Sequence, residues 1–289
     1  MKKKYLRIEA EELDALLIQE KSYRLLGQFH RGDYGFVHTD RCDSLLLSSL
    51  VGCRKDFPVD IIQAKDESGY WHRRPLSLPE CYPEHSKSSM SRDMLIGLLV
   101  HATFKNNHLA WSTLNSIQNQ NYVMGVGDPS RLIMMPGLER SFSKLSGSNS
   151  TISKSYQPWN GKLKGYAVKL ELLHIMCLGK IDGGITESAL ACLKKYSDSS
   201  KDDILALLLY SLYSGDQSAL KQATSLLLNE KLFPKNRLPT SKDRSVDWYF
   251  NAQNPNDVAP SDDDEISEHP GMDFLFYMWV LKYVLNIME

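Results

Sequence analysis

The chain has 289 residues, of which 42% are apolar and 24% are charged. This composition is ordinary for a globular protein with a sizeable core and argues against wholesale disorder. The 34 basic and 35 acidic side chains leave almost no net charge, so no overall field draws the chain to nucleic acid or to an anionic membrane, and neither is expected as a partner.

The first segment, MKKKYLRIEAEELDALL, begins with basic residues, but acidic side chains interrupt the apolar core that a signal peptide needs. The longest apolar run, MDFLFYMWVLKYVL, is shorter than the roughly 20 residues of a membrane span and contains Lys282. We therefore expect a soluble, cytoplasmic protein, with export by a route other than a signal peptide left open. The five cysteines include no C-x-x-C pair and are expected to be free and buried.

Helical periodicity predominates along the chain, and the fold class is predicted to be mainly α. The first predicted helix, over 9–26, stops at Gly27 and has one apolar stripe, formed by Leu13, Leu16, Leu17, Leu25 and Leu26. Further helices are predicted over 43–53, 92–105, 108–120, 163–178, 186–196, 201–213, 217–230 and 272–287. Trp111 and Trp279 fall within these helices, and we expect both in the core.

Three long irregular stretches lie between the predicted helices, and such loops usually have a function. Residues 63–90 mix aromatic, basic and proline residues and are expected to line a ligand site. Residues 141–157 are rich in serine with few apolar anchors, which is typical of a mobile flap or a linker. Residues 234–269 include the acidic run SDDDEISE. We expect residues 1–289 to form a single domain.

Three apolar helices begin in a similar way, with an acidic residue directly before or within the apolar run. Asp43 is followed by Ser-Leu-Leu-Leu, Asp93 by Met-Leu-Ile-Gly, and Asp273 by Phe-Leu-Phe-Tyr. Other polar side chains precede these starts, namely His38, Asp40, Arg41, Ser91, Arg92 and His269. If several such entrances converge in the fold, the shared polar cup shifts pKa values and separates a general acid from a general base.

Helix capping is the simpler explanation for each acid taken alone, because Asp near a helix N-terminus binds free backbone N–H groups. The clustering of polar side chains at these helix starts favours an active site instead. Asp40 and Asp43 are three residues apart and share a face if the helix begins early enough. His38 and Arg92 supply groups that capping does not require.

Loop residues are candidates for contacts with a ligand. Trp71 lies in GYWHRRP, where Arg73 and Arg74 suit an anionic sugar. The stretch MGVGDPSRLIMMPG offers Asp128 and Arg131, but it lacks the phosphate-loop and dinucleotide patterns, and a plain Asp-Pro turn is the alternative. The remaining candidates for substrate contact are Tyr34, Trp248 and His269.

A metal site is the rival chemistry, because suitable ligands occur at His38, Asp40, His72, His85, His101 and His108. No H-E-x-x-H or comparable spacing joins any two of them. His101 and His108 share a face only if one helix runs through FKNN. We therefore predict neither a metal nor another cofactor.

The acid-led helices, the GYWHRRP loop, SRDMLIGLL and the region from LPTSKDRSVDWYF to HPGMDFLFYMW resemble the α/α-toroid enzymes, a broad group of glycoside hydrolases and polysaccharide lyases. The resemblance is architectural, covers most of residues 30–285 and singles out no family. It implies an α/α toroid with long loops, in which the ends of the inner helices form a sugar-binding cleft. Because fewer helices are predicted than the twelve of a full toroid, it implies an incomplete (α/α)6 barrel or helices that the pattern misses.

The leading hypothesis is a carbohydrate-active enzyme that cleaves a neutral or anionic polysaccharide or oligosaccharide with paired carboxylates. As a hydrolase, the chain uses Asp40 or Asp43 as base or nucleophile and Asp93 or Asp273 as acid, with Arg92 as electrostatic partner.

Two alternatives stay open. As a polysaccharide lyase, the chain uses His38 or Tyr34 to remove a proton beside a uronate, whose carboxylate Arg92 or Arg131 neutralises. The second alternative is a non-catalytic helical binding or accessory protein, because a fold does not by itself fix a function. Nothing in the sequence predicts a particular oligomeric state.

Overall fold

The computed structural model describes residues 6–27, 33–37, 44–75, 91–119, 136–148, 163, 166–199, 202–235, 237 and 271–287. Within these ranges the chain is mainly helical, as predicted, with one isolated β-bridge. The helices are α1 (Ala10–Gly27), α2 (Ser44–Val51), α3 (Arg92–Phe104), α4 (His108–Asn119), α5 (Pro136–Ser146), α6 (Tyr166–Ile181), α7 (Glu187–Ser199), α8 (Ile204–Ser214), α9 (Gln217–Leu227) and α10 (Met272–Leu285). None of the described helices combines the length and the apolar character that a membrane crossing requires.

The chain divides into two compact units. The first unit contains α1, α7, α8, α9, α10 and the part of α6 that ends at Met176. The second unit contains α2, α3, α4, α5 and residues Cys177–Gly183. The single domain expected over residues 1–289 stays a prediction.

The second unit is centred on α2 and α3, which are apolar on all sides and pack against each other. Every residue of α2 is buried, as is every residue of α3 from 94 to 102. A Cβ added at Gly97 would lie 3.0 Å from the Cα of Leu46, and the His101 Nδ1 lies 3.1 Å from the Ser49 carbonyl oxygen. Because these contacts advance in the same direction along both helices, α2 and α3 run parallel and begin at the same end of the unit.

A short connection joins α3 to α4, which is typical of antiparallel neighbours. α4 buries Leu109, Ala110, Leu114 and Ile117, a helical i, i+1, i+5, i+8 face. Trp111 lies off that face and is 60% exposed, so the expectation that it belongs to the core is wrong. Trp279 is buried in α10, as predicted.

α5 is the helix that the sequence pattern missed. Residues 141–146, expected in a flap or linker, belong to this helix. It is held by Leu138 and Phe142, which are buried one turn apart. The serine content hid the helix, since Ser141 is buried and its hydroxyl donates to the Gly137 carbonyl oxygen at 3.0 Å. Residues 149–157 of the expected flap lie outside the described residues.

In the first unit, helices that are buried throughout alternate with helices that bury one face. α8 is buried from Ile204 to Leu209, and α10 from Met272 to Leu281. α8 lies between α7 and α9 in the chain, and each of these two helices buries only one face. Short connections join α6 to α7, α7 to α8 and α8 to α9, which indicates antiparallel neighbours.

α1 packs against α10 through its buried stripe. The Tyr23 ring stacks on Phe274 with centroids 4.7 Å apart, and Glu20 pairs with Lys282 at 2.9 Å. Leu16 lies on this stripe and is buried, whereas Leu25, which was predicted on the same stripe, is 49% exposed. The prediction for Leu25 is wrong because the buried stripe follows Leu16, Glu20 and Tyr23, which are spaced four and three residues apart.

Among the described cysteines, Cys53, Cys177 and Cys192 are free and buried, as predicted. Burial raises the pKa of the Cys177 thiol to about 12, so this side chain stays a neutral core group. Cys42 and Cys81 lie outside the described residues.

Gly271 precedes α10 at a position that tolerates no side chain. Its φ is +71°, and a Cβ built there would lie 2.1 Å from the Cδ1 atom of Tyr23. Gly271→Ala is therefore expected to lower the free energy of unfolding by about 3 kcal/mol or more, because overpacking adds to the cost of a left-handed alanine. Chemical denaturation measures this change.

Gly183→Ala is the matched control for Gly271→Ala. Gly183 has a nearly identical φ of +72°, but a Cβ there meets nothing within 4 Å. The control therefore carries the backbone cost alone, about 1–2 kcal/mol. Equal losses in the two variants would contradict the close packing of Gly271 against Tyr23.

Candidate active site

The N-terminal ends of α2 and α3 form the best-supported site, which we call the α2–α3 entrance. It comprises Ser44 and Leu45 of α2, Ser91 and Asp93 at the start of α3, and Arg73 of the preceding loop. The two helices run parallel and are in contact, and packed helix axes lie about 8–10 Å apart. The entrance therefore brings a carboxylate and a basic segment to one end of an apolar helix pair.

Arg73 is placed by its backbone. Its carbonyl oxygen accepts a hydrogen bond from the Leu45 backbone N–H at 2.9 Å and from the Ser44 hydroxyl at 3.4 Å. The first of these contacts satisfies a backbone N–H group that has no acceptor inside the helix. As a result, the GYWHRRP loop lies at the start of α2. Its role in binding a ligand stays a prediction.

Asp93 lies in the first turn of α3 and is half-buried. Ser91 is the N-cap residue, but its side chain makes no capping bond. Its hydroxyl instead donates to the Asp93 Oδ1. The serine therefore orients the carboxylate rather than the helix backbone, an arrangement that capping alone does not require.

A short hairpin carries a second acidic and basic pair next to the entrance. Lys65 and Trp71 form its antiparallel bridge, and Gly69 turns the chain with a φ of +89°. Across the turn, the Asp66 Oδ2 lies 2.8 Å from the His72 Nε2. The Asp66 Oδ1 accepts the Tyr70 backbone N–H at 2.8 Å.

The electrostatic environment keeps Asp66 ionised. Burial acts to raise the pKa of its carboxyl group, but hydrogen bonds from the His72 side chain and the Tyr70 backbone, with the charge of His72, outweigh burial and lower the pKa below its ordinary value. An ionised carboxylate next to an imidazole fixes the orientation of the ring.

The hairpin is anchored to its surroundings by Lys65 and Trp71. The Lys65 ammonium donates to the Ser112 hydroxyl of α4 at 2.9 Å and lies 5.7 Å from the centre of the Trp71 ring. Burial lowers the pKa of Lys65. Trp71 is 3% exposed, so its ring offers no face to a sugar, and the stacking role expected for it gives way to a structural one.

The first unit has its own polar cluster, at the starts of α6 and α8. Lys169 of α6 forms a buried ion pair with Asp203 at 2.6 Å, and Asp203 also caps α8 by accepting the Ala206 N–H. The Lys169 ammonium lies 5.8 Å from the centre of the Tyr277 ring in α10. Because Lys169 and Asp203 lie near the N-terminal ends of their helices, α6 and α8 begin at the same end of this unit.

Asp273, a predicted catalytic acid, lies in the first turn of α10 and is fully buried. Its Oδ1 accepts the Phe274 backbone N–H at 2.8 Å. In the same unit, the Tyr196 hydroxyl donates to the Glu171 carboxylate, and burial together with this hydrogen bond raises the pKa of Tyr196. Both arrangements hold buried polar groups in place.

Several predicted site residues lie outside the described residues, namely His38, Asp40, Asp43, Asp128, Arg131, Trp248 and His269. Arg92 belongs to α3, but its side chain is not described. Arg74 follows Arg73 in the loop and is half-buried. Tyr34 is 45% exposed and has a φ of +59°, which is rare for a residue other than glycine.

No group of three His, Cys, Asp or Glu side chains in the described part of the chain is arranged to hold a metal ion. His101 is buried in α3, and His108 begins a separate helix, α4, so the two do not share one helix face. Burial lowers the pKa of His101, with a smaller opposing effect from its hydrogen bond to Ser49. His38, Asp40 and His85 lie outside the described residues.

The Asp66–His72 pair is the part of the site that sequence reasoning missed. His72 was considered as a metal ligand, and Asp66 was not considered. The available signal was Gly69 in DESGYWH, which permits a turn that brings residues 66 and 72 together.

In comparisons with protein-family models, curated proteins and solved structures, nothing matches this chain. Function therefore has to be inferred from the chain's own side chains.

Proposed function

We propose that the chain is a carbohydrate-active enzyme of the glycoside hydrolase type, with its active site at the α2–α3 entrance. The observation that carries the proposal is the parallel packing of α2 and α3, which sets the Ser91–Asp93 pair next to the Arg73 loop. Two apolar helices need caps at their starts, but they need neither a serine-oriented carboxylate nor an adjacent imidazole and arginine segment.

The helix directions support an α/α-toroid plan. In the second unit α2 and α3 are apolar throughout and parallel. In the first unit the Lys169–Asp203 ion pair joins the starts of α6 and α8. Helices with one buried face return the chain between the buried helices. Within each unit, this alternation of buried and one-faced helices is what an α/α toroid uses for its inner and outer helices.

The chemical roles follow from the positions of the carboxylates. Asp93 acts as general acid, because it is half-buried and oriented by Ser91. The second carboxylate comes from Asp40 or Asp43, and Asp43 directly precedes the first residue of α2 in the sequence. The exposed Tyr34 ring, held in an unusual backbone conformation, is a candidate for stacking on a sugar.

The experiment is digestion of a panel of neutral and uronate-containing polysaccharides by the purified chain, with mass spectrometry of the products. Hydrolysis adds one water per cleaved bond and supports the proposal. Products with an unsaturated sugar end would show the lyase alternative instead. A folded chain that cleaves nothing in the panel but binds one glycan saturably would show the non-catalytic alternative and contradict the proposal.

A further inference from the structure

The imidazole of His72 has one ring nitrogen engaged and the other available. The Nε2 lies 2.8 Å from the Asp66 Oδ2, and the side chain is 16% exposed. No hydrogen bond joins the Nδ1 to a residue in the described part of the chain. This combination, an oriented ring on a partly exposed side chain, is typical of a proton-transfer group.

Asp66 decides which nitrogen carries the proton. Its carboxyl group has a pKa below the ordinary value, because hydrogen bonds to the ionised form outweigh the effect of burial. An ionised carboxylate is an acceptor only, so the Nε2 of neutral His72 must donate to it. The Nδ1 then holds the lone pair, which makes it the basic nitrogen.

The hairpin holds His72 in place from both sides. The His72 backbone N–H donates to the Ala64 carbonyl oxygen at 2.7 Å, and the next residue, Arg73, is bonded to the start of α2. Because α3 is packed against α2, His72 and Asp93 belong to the same end of the second unit. A base needs this kind of fixed position to act on a bound substrate.

Other charged groups lie close to the pair in the sequence, namely Lys65, Glu67, Arg73 and Arg74. α2, whose Leu45 N–H donates to the Arg73 carbonyl oxygen, has no titratable side chain. The ion pair with Asp66 is therefore the closest charge contact that the structure gives for His72.

We propose that His72 is a catalytic base of the α2–α3 entrance, acting through its Nδ1, and that Asp66 is its positioning residue. The inference rests on the proposed sugar-cleaving function, and in it His72 takes the role of base in place of Asp40 or Asp43. In the step, the Nδ1 takes a proton from water as the water oxygen bonds to the anomeric carbon. The glycosidic C–O bond breaks, and the leaving oxygen takes a proton from Asp93. His72 then releases its proton to solvent and Asp93 takes one from solvent, which restores both groups for the next turnover.

The first test is the tautomer of His72, read from the nitrogen-15 chemical shifts of the imidazoles in the labelled chain. The expected form has the proton on Nε2. His101 is the internal control, because its Nδ1 faces the Ser49 carbonyl oxygen at 3.1 Å and must carry the proton there. A proton on the Nδ1 of neutral His72 would overturn the inference whatever the activity of the chain.

The second test is kinetic and uses a glycan that the chain cleaves. His72→Gln is expected to lower kcat by about 10²–10⁴-fold, the usual contribution of a general base. Added imidazole is expected to restore part of the activity of His72→Ala, which a structural role would not explain. His108→Gln, which replaces an exposed histidine of α4, is the control and is expected to leave kcat unchanged.

Asp66→Asn tests the positioning role of Asp66. An amide has two N–H donors as well as an oxygen, so it no longer requires the proton of His72 to lie on the Nε2. The nitrogen-15 shifts of this variant are expected to show a mixture of His72 tautomers, and kcat is expected to fall. An unchanged tautomer together with an unchanged kcat would contradict the coupling of the two residues.

The outcomes distinguish this inference from the proposed function. Cleavage by the wild-type chain with an equal rate in His72→Gln overturns the role of His72 and leaves the proposed function standing. No cleavage of any glycan by the folded wild-type chain overturns both.

Discussion

Asp93→Asn is expected to lower turnover of a cleaved glycan by about 10²–10⁴-fold, because an amide cannot transfer the proton that a carboxyl group supplies to the leaving oxygen. Asparagine has the same size as aspartate and can still accept the hydroxyl of Ser91. The fold should therefore be retained. Initial rates over a range of substrate concentrations measure the effect, and circular dichroism checks the helix content.

Asp198→Asn is the control for this variant. Asp198 lies on α7, is 62% exposed and pairs with Lys194 one turn away, so its replacement should leave turnover unchanged. Turnover by Asp93→Asn that equals the wild-type value would remove the catalytic role from Asp93 and from the entrance.

Lys169→Met is expected to lower the free energy of unfolding by about 3–5 kcal/mol, because it leaves the carboxylate of Asp203 buried without its cation. Lys169 and Asp203 are 3% and 8% exposed and lie 2.6 Å apart. Methionine keeps the length of the apolar stem, so packing against the Tyr277 ring is largely preserved. Denaturant unfolding of the variant and the wild-type chain gives the difference.

Two further variants test whether the ion pair causes the loss of stability in Lys169→Met. Adding Asp203→Asn to it should recover part of the stability, because asparagine carries no charge and can still cap α8. Lys194→Met breaks an exposed pair with Asp198 and should produce no resolved change. If Lys169→Met lowered the free energy of unfolding as little as Lys194→Met does, the buried ion pair would not be a main contact between α6 and α8.

The helices could be predicted because their signals are local. α8 and α10 are runs of apolar residues of helical length, and Asp203 and Gly215 mark the ends of α8 as cap residues. α5 could not be predicted in the same way, because its buried serines look like loop residues until their hydroxyls bond to the helix backbone. The exposure of Trp111 could not be predicted either, because the helices that pack against α4 decide which of its faces is buried.

The candidate site also contains residues that the sequence could predict and residues that it could not. Ser91 and Asp93 could be found because a helix start has a recognisable sequence pattern. The Asp66–His72 pair depends on a hairpin turn, and the Lys169–Asp203 pair joins residues 34 positions apart. Neither pair leaves a periodic signal in the sequence, because each is created by tertiary packing rather than by local propensity.

Hydrogen exchange measured by mass spectrometry tests most directly whether the α2–α3 entrance is the sugar site. The Asp93→Asn chain would be compared with and without a saturating amount of the glycan that the wild-type chain cleaves. Exchange is expected to slow in peptides that cover residues 44–47, 72–74 and 91–94, and to stay unchanged at 104–109, where α3 ends and α4 begins. Protection at 104–109 with none at the entrance would contradict the account.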